Sequence, residues 1–169
     1  MRLAELDNKA DEMGMKFLQA LESKGIEGFF AENDALKKTL EITDADIKEL
    51  EYESYNYCQY KEWPQAANAL VYLVLFEPQQ TQYYLRLGSV LMELGAFEGA
   101  IIILDIAASL QSTDPRPHLY IGSCFLELGN NEKAMEAFDT CIDLATHSAY
   151  VNQEYEEIKA LALEAKKVI

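Results

Sequence analysis

Residues Tyr84 to Ala100 read YLRLGSVLMELGAFEGA, and the rest of the chain repeats their plan. Leu87-Gly88 and Leu94-Gly95 are followed by Phe97 and Ala100. Thirty-four residues further on, the same places hold Ile121-Gly122, Leu128-Gly129, Asn131 and Ala134. Thirty-four residues earlier they hold Glu53-Ser54, Tyr60-Lys61, Trp63 and Ala66. Small residues therefore recur at the eighth and twentieth places of a fixed period. The physical reason is close approach. Where two antiparallel helices cross, Gly88 and Ala100 let the backbones come together, while Tyr84, Leu91 and Leu104 fill the space on either side.

That period and pattern are the tetratricopeptide signature, one helix-turn-helix unit per repeat. It predicts an all-α fold with three tandem tetratricopeptide repeats forming a helix-turn-helix superhelix. The repeats span Ile47–Gln80, Thr81–Asp114 and Pro115–Ser148, together residues 47–148. A helical extension over residues 1–46 precedes them, and a capping helix over residues 149–169 follows.

In the extension, Leu3, Leu6, Ala10, Met13, Phe17 and Leu21 form an apolar stripe along one helix face, stopped by Gly25 and Gly28. This helix either folds back over the first repeat or docks on a second copy of itself, since a stripe of that length needs burial. Phe29-Phe30 and a short helix over Asn33–Leu40 come next, N-capped by Asn33 or Asp34. Thr43, ahead of Asp44 and Asp46, caps the first repeat helix, expected near 44–60. Pro64 opens the second, near 64–76, with Trp63 wedged in the turn, and Glu77-Pro78 ends the repeat. Gly95 and Gly129 fall in inter-helix turns that want a positive φ. In the capping helix, Val151, Tyr155, Ile158, Leu161 and Ala165 or Val168 form the inward stripe. Glu154, Glu156, Glu157, Glu164, Lys166 and Lys167 form the polar outer face that ends a repeat array.

Charge and residue content remove several classes of function. The formal net charge of −15 repels phosphate backbones, so no nucleic acid is expected as partner. Residues 1–24 carry Glu5, Asp7, Asp11 and Glu12 where a signal peptide needs an apolar core. The longest apolar run, Ala69 to Phe76, is far short of the ~20 residues of a membrane helix. A cytoplasmic protein with no direct membrane binding is expected. Cys58, Cys124 and Cys141 form no CxxC pair and read as buried thiols. His118 reads as a packing residue, and His147 sits at a helix C-terminus. No HExxH, Cys/His cluster, phosphate loop or nucleophile with a base is present, so no enzyme, metal or cofactor is expected.

The informative residues lie on the first helix of each repeat. Places four, eight and eleven pack on the partner helix, and places five, six, nine and twelve face the concave side of the superhelix. There the first repeat offers Tyr52, Tyr55 and Cys58, and the second offers Leu85, Ser89 and Met92. The third offers Leu119, Tyr120, Ser123 and Leu126, with Arg86, Glu93, Arg116 and Glu127 as a rim. Either the C-terminal helix or the N-terminal segment fills this apolar groove, or it binds a peptide.

With Tyr55-Asn56-Tyr57, Trp63, the Leu-Gly pairs and the segment ALKKTLEITDADIKELEYESYNYC in view, residues 35–148 resemble the class II chaperones of bacterial type III secretion. That resemblance implies a bacterial cytoplasmic chaperone that binds hydrophobic translocator proteins before export. It implies an extended P-x-L-x-x-P-like segment held against Tyr52, Tyr55, Cys58, Leu85, Ser89, Met92 and Tyr120; the repeat register adds Leu119 and Ser123 to the expected contacts. It also implies a homodimer through residues 3–21. Two places depart from the family pattern. Glu51 stands where an aromatic is common, and Lys61-Glu62 replace the glycine before Trp63. The rival is a general tetratricopeptide adaptor gripping an acidic tail. That task needs fixed cationic donors, whereas the clamp places hold Glu51, Tyr55, Arg86, Arg116 and Tyr120.

Overall fold

A computed structural model describes residues 37–38, 41–147 and 153–169. The stripe Leu3–Leu21, the Phe29-Phe30 pair, Val151 and most of the Asn33–Leu40 segment lie outside the described residues. Among the described residues the α-helices with full bounds run in order: α1 Asp44–Gln59, α2 Trp63–Phe76, α3 Thr81–Glu93, α4 Phe97–Leu110, α5 Arg116–Glu127, α6 Asn131–His147 and α7 Gln153–Ala165. A short 3₁₀ turn, Lys166–Val168, follows α7, and there is no strand among the described residues. The chain has an all-α helical-repeat fold. It divides into two compact units, Met1–Tyr83 and Tyr84–Ile169.

In the first unit α1 begins at a capping box. The Thr43 hydroxyl accepts from the Asp46 N–H at 3.3 Å, and the Asp46 carboxylate accepts from the Thr43 N–H at 2.8 Å. Two backbone donors that a helix start leaves unpaired are thereby satisfied. The helix ends in a Schellman turn, with Lys61 N–H donating to Cys58 C=O at 3.2 Å and Glu62 N–H to Tyr57 C=O at 2.8 Å. Pro64 lies in the first turn of α2, where its missing N–H removes no bond. Ala66, Ala69, Leu70, Leu73 and Phe76 of α2 are wholly buried, each large side chain contributing about 1.5–3 kcal/mol. They pack against α1, whose inward side is Ile47, Leu50 and Ser54. Lys37 pairs with Glu77, tying the segment before α1 to the end of α2.

In the second unit the same design recurs twice. Leu104 of α4 lies over Gly88 of α3, so close that a Cβ there would meet it at 2.6 Å. Phe138 of α6 lies over Gly122 of α5, where a Cβ would meet its ring at 2.5 Å. Ala100 and Ala134 are wholly buried, like Ala66 in the first unit. These are the places whose recurrence reveals the period. Gly95 and Gly129 have φ of +72° and +71°, and each closes the Schellman turn seen at Lys61.

Helix α7 packs on α6 and touches α5. Tyr155, Ile158 and Ala162 join Ala134, Phe138, Cys141 and Ala145 in one cluster. The expected inward stripe is right at Tyr155 and Ile158 and at Ala165, which packs partly against this cluster, and fails at Leu161 and Val168. Leu161 is 58 % exposed and Val168 is 79 % exposed. The seam continues four residues on to Ala162, not three to Leu161. An alanine there allows close contact with the alanines of α6, which a leucine would prevent. No helix among the described residues is long and apolar enough to cross a membrane.

Candidate peptide-binding surfaces

On α1, Tyr52 and Tyr55 stand three residues apart and are 68 % and 55 % exposed. The spacing places both on one side of the helix, away from the side that Leu50 and Ser54 bury. Cys58, three residues further, is half-buried. Glu51, one place back, accepts a hydrogen bond from the Tyr83 hydroxyl at 2.5 Å. This carboxylate is thus already engaged by a neighbouring tyrosine. Ser54 turns its hydroxyl to the Glu51 C=O at 2.8 Å, which lets a polar side chain sit wholly buried at the helix crossing.

In the second unit Ser89 of α3 is exposed and Met92 half-buried. Leu85, on the same side of α3, is only 5 % exposed. On α5, Leu119, Tyr120 and Ser123 are half-buried, and the Ser123 hydroxyl donates to the Leu119 C=O at 3.0 Å. Leu119 and Leu126 pack partly against the cluster that α7 completes. The nine expected contact residues therefore differ in access. Tyr52, Tyr55 and Ser89 are open, Cys58, Met92, Leu119, Tyr120 and Ser123 are partly covered, and Leu85 is covered. Sequence spacing identifies the side of a helix but not what the last helix does to it, and α7 takes up part of the side offered by α5.

Arg116 has a different role from the rim position expected of it. Asp114 is wholly buried and accepts from the Arg116 N–H at 2.9 Å and from its guanidinium at 2.6–3.0 Å. The same guanidinium reaches Glu154 of α7 at 3.5 Å. Arg116 thus neutralises a carboxylate inside the unit and ties α7 to the start of α5. The bonds to Asp114 raise the guanidinium's affinity for its proton further. The sequence signal for this network was present in Asp114-Pro115-Arg116, an Asp just ahead of a helix start.

Among the described residues, the buried thiols and the histidines are shifted or held by their packing. Burial pushes the Cys124 and Cys141 thiols up to about 11 and about 12, so both stay protonated and inert. Burial lowers His118, against the opposing pull of Asp105 and Asp114. His147 closes α6 with its Nδ1 3.1 Å from the Asp143 C=O. Among the described residues no group of His, Cys, Asp and Glu is placed to hold a metal ion.

The tetratricopeptide repeat family model matches residues 118–147, the third hairpin. The chain is 29 % identical over 132 residues to DnaJ homolog subfamily C member 7 of Mus musculus, covering 75 % of this chain and 26 % of that protein. It thus spans about a quarter of that curated relative. Among solved structures it is similar to the type III secretion translocator chaperone SycD of Yersinia enterocolitica. The TM-score is 0.69 at 18 % identity, over 79 % of this chain and 96 % of SycD. It is also similar to PcrH of Pseudomonas aeruginosa, solved in complex with the chaperone binding region of PopD. There the TM-score is 0.68 at 22 % identity, over 75 % of this chain and 92 % of that one. At these identities the likeness is one of fold.

Proposed function

We propose that this protein is a type III secretion chaperone. It binds an extended, P-x-L-x-x-P-like segment of a hydrophobic translocator and keeps that client soluble and export-competent in the bacterial cytoplasm. The observation that carries the reading is the pair Tyr52 and Tyr55, two large side chains left open on a helix whose other side is well packed. Tyrosine suits this task because it offers broad apolar area at low entropic cost together with a hydroxyl handle. Ser89 admits a backbone, Met92 adapts to what lies on it, and Cys58, Leu119, Tyr120 and Ser123 complete the contacts. Leu85, on the same side of α3 as Ser89 and Met92, is covered and adds to the apolar character of that side. The fold shared with PcrH, solved with a translocator's chaperone-binding region, supports the same reading. Pairing through residues 3–21 belongs to the proposal as well.

Each apolar anchor contributes about 1.5–3 kcal/mol, and ordering an extended segment costs about 2–5 kcal/mol. Two or three anchors with backbone hydrogen bonds then give an isolated peptide a Kd on the order of micromolar. The test is co-expression with candidate translocators carrying long apolar segments, followed by the double variant Tyr52→Ala/Tyr55→Ala and by Ser89→Trp. All three positions are exposed, so the melting temperature should stay within a degree or two while the client is lost to the insoluble fraction. A client that stays soluble and bound with both variants would end the proposal.

A general tetratricopeptide adaptor is the second reading, favoured by the identity shared with the mouse DnaJ homolog. A clamp for an acidic tail needs open cations. Arg116 is committed to Asp114 and Glu154, and Glu51 adds a negative charge. The chaperone reading is the better supported.

A further inference from the structure

Glu51 stands on the border between the packed and the open side of α1. Ile47, four residues before it, and Ser54, three after it, are buried, while Tyr55, four after it, is open. Glu51 itself is half-buried, as is Cys58 further along the same border. The buried Tyr83 donates its hydroxyl hydrogen to one of the carboxylate oxygens at 2.5 Å. An ionised carboxylate offers about four acceptor positions, so this bond uses one and fixes where the others point. Among the described residues Glu51 takes part in no ion pair. A negative charge is thus held in a set orientation beside two open tyrosines, with no cation upon it.

We infer that Glu51 makes this surface selective for a client segment that carries a lysine or arginine beside its apolar anchors. The inference rests on the reading of Tyr52 and Tyr55 as the client-binding surface. A segment laid on those tyrosines also covers the carboxylate next to them. If it is wholly apolar there, it strips the water from Glu51 and leaves the charge with the Tyr83 bond alone, which is costly. A client cation replaces that water with a charge-assisted hydrogen bond. A guanidinium gains further by lying against a tyrosine ring. Because Tyr83 orients the carboxylate beforehand, little ordering is left to be done on binding.

The rival source of a cation is the chain itself, or a second copy, through Arg2, Lys9, Lys16 and Lys24. Those residues flank the stripe Leu3–Leu21, and a helix docked here by that stripe would cover Tyr52 and Tyr55. Both are more than half exposed. The open tyrosines and the carboxylate without a cation therefore favour a client over either rival.

Fluorescent peptides of the form P-x-L-x-x-P test this against the full chain. One set places arginine at each x in turn, with alanine at the others, and a matched set carries citrulline, the neutral isostere of arginine. In fluorescence anisotropy, arginine at one or more of these places should give a Kd at least about tenfold below that of citrulline. Glu51→Gln keeps an oxygen for the Tyr83 hydroxyl and should reduce that preference to about twofold or less. Its melting temperature and its mass by light scattering should match wild type. Glu98→Gln, which removes an exposed carboxylate of α4, should leave the preference intact. Arginine and citrulline peptides that bind alike would overturn the inference; if both are then lost in Tyr52→Ala/Tyr55→Ala, the chaperone reading stands without it. A preference that falls equally in Glu51→Gln and Glu98→Gln would also overturn it, because the bulk charge of the chain would be the whole effect. A lowered melting temperature in Glu51→Gln would assign the carboxylate to a cation of its own chain, and a lowered mass would assign it to a second copy. Either result sinks the inference. If no peptide of either set binds, it falls together with the reading on which it rests.

Discussion

The first hairpin and the two that follow solve one packing problem with different residues. At the eighth place, α1 carries Ser54 where α3 and α5 carry Gly88 and Gly122. In the inter-helix turn, Lys61 stands where Gly95 and Gly129 stand later, yet all three have φ between +57° and +72°. The loops that end the repeats differ as well. The first unit uses a half-exposed pair, Lys37 with Glu77, and the second uses Asp114, wholly buried against Arg116. The backbone plan is therefore held by geometry common to all three, and the side chains that satisfy it are interchangeable within limits. Where the seam is tightest only glycine fits. Where it is looser a serine is accommodated by bonding back to its own helix.

The buried pair is where the two units should separate most. Arg116→Met leaves the Asp114 carboxylate inside the unit with no cation, a change that typically costs about 3–5 kcal/mol. Urea denaturation should register that loss. Lys37→Met, which removes the half-exposed pair of the first unit, should cost no more than about 1 kcal/mol. If the two variants lose equal stability, the contrast between the pairs is wrong.

The next effect concerns the seams. A methyl at Gly122 meets the Phe138 ring, which is itself wholly buried and has little room to move. Gly122→Ala should therefore cost about 1–3 kcal/mol through overpacking, less the ~1 kcal/mol by which alanine favours a helix over glycine. Ser54→Ala removes only a hydroxyl bonded to its own backbone, and should change stability by less than about 1 kcal/mol. A Gly122→Ala protein more stable than wild type would mean that α5 and α6 are further apart than the structure has them.

Much of this was legible in the chain itself, for a physical reason. Close contact between helices leaves a mark on composition, so Gly88, Gly122, Ala66, Ala100 and Ala134 announce both the period and the crossing points. The Thr43 cap and the positive φ at Gly95 and Gly129 were legible because few residue types suit each place. Two things were not. Lys61 hides its left-handed turn, since nothing in a lysine signals it. The accessibility of Leu85, Leu119 and Leu126 depends on what covers them, and helical spacing gives direction without neighbours. The same limit explains Leu161, which matches the apolar stripe of α7 as well as Ala162 does and yet lies outside the seam.

The smallest expected effect bears on Lys61 itself. A side chain in the left-handed region costs about 1–2 kcal/mol because its Cβ crowds the following carbonyl. Glycine relieves that crowding, but it also gives the unfolded chain more freedom, worth about 0.4–1 kcal/mol against folding. Lys61 is exposed, so its replacement costs nothing in packing. The two Schellman hydrogen bonds use only backbone groups and survive the change. Lys61→Gly should therefore stabilise the first hairpin by about 0.5–1 kcal/mol. The reciprocal change, Gly95→Lys, should destabilise the protein by a similar amount. Thermal denaturation of both variants reads the pair as shifts of opposite sign. Shifts of the same sign would mean that the first turn does not share the geometry of the others, and the parallel drawn between the hairpins would fail at that point.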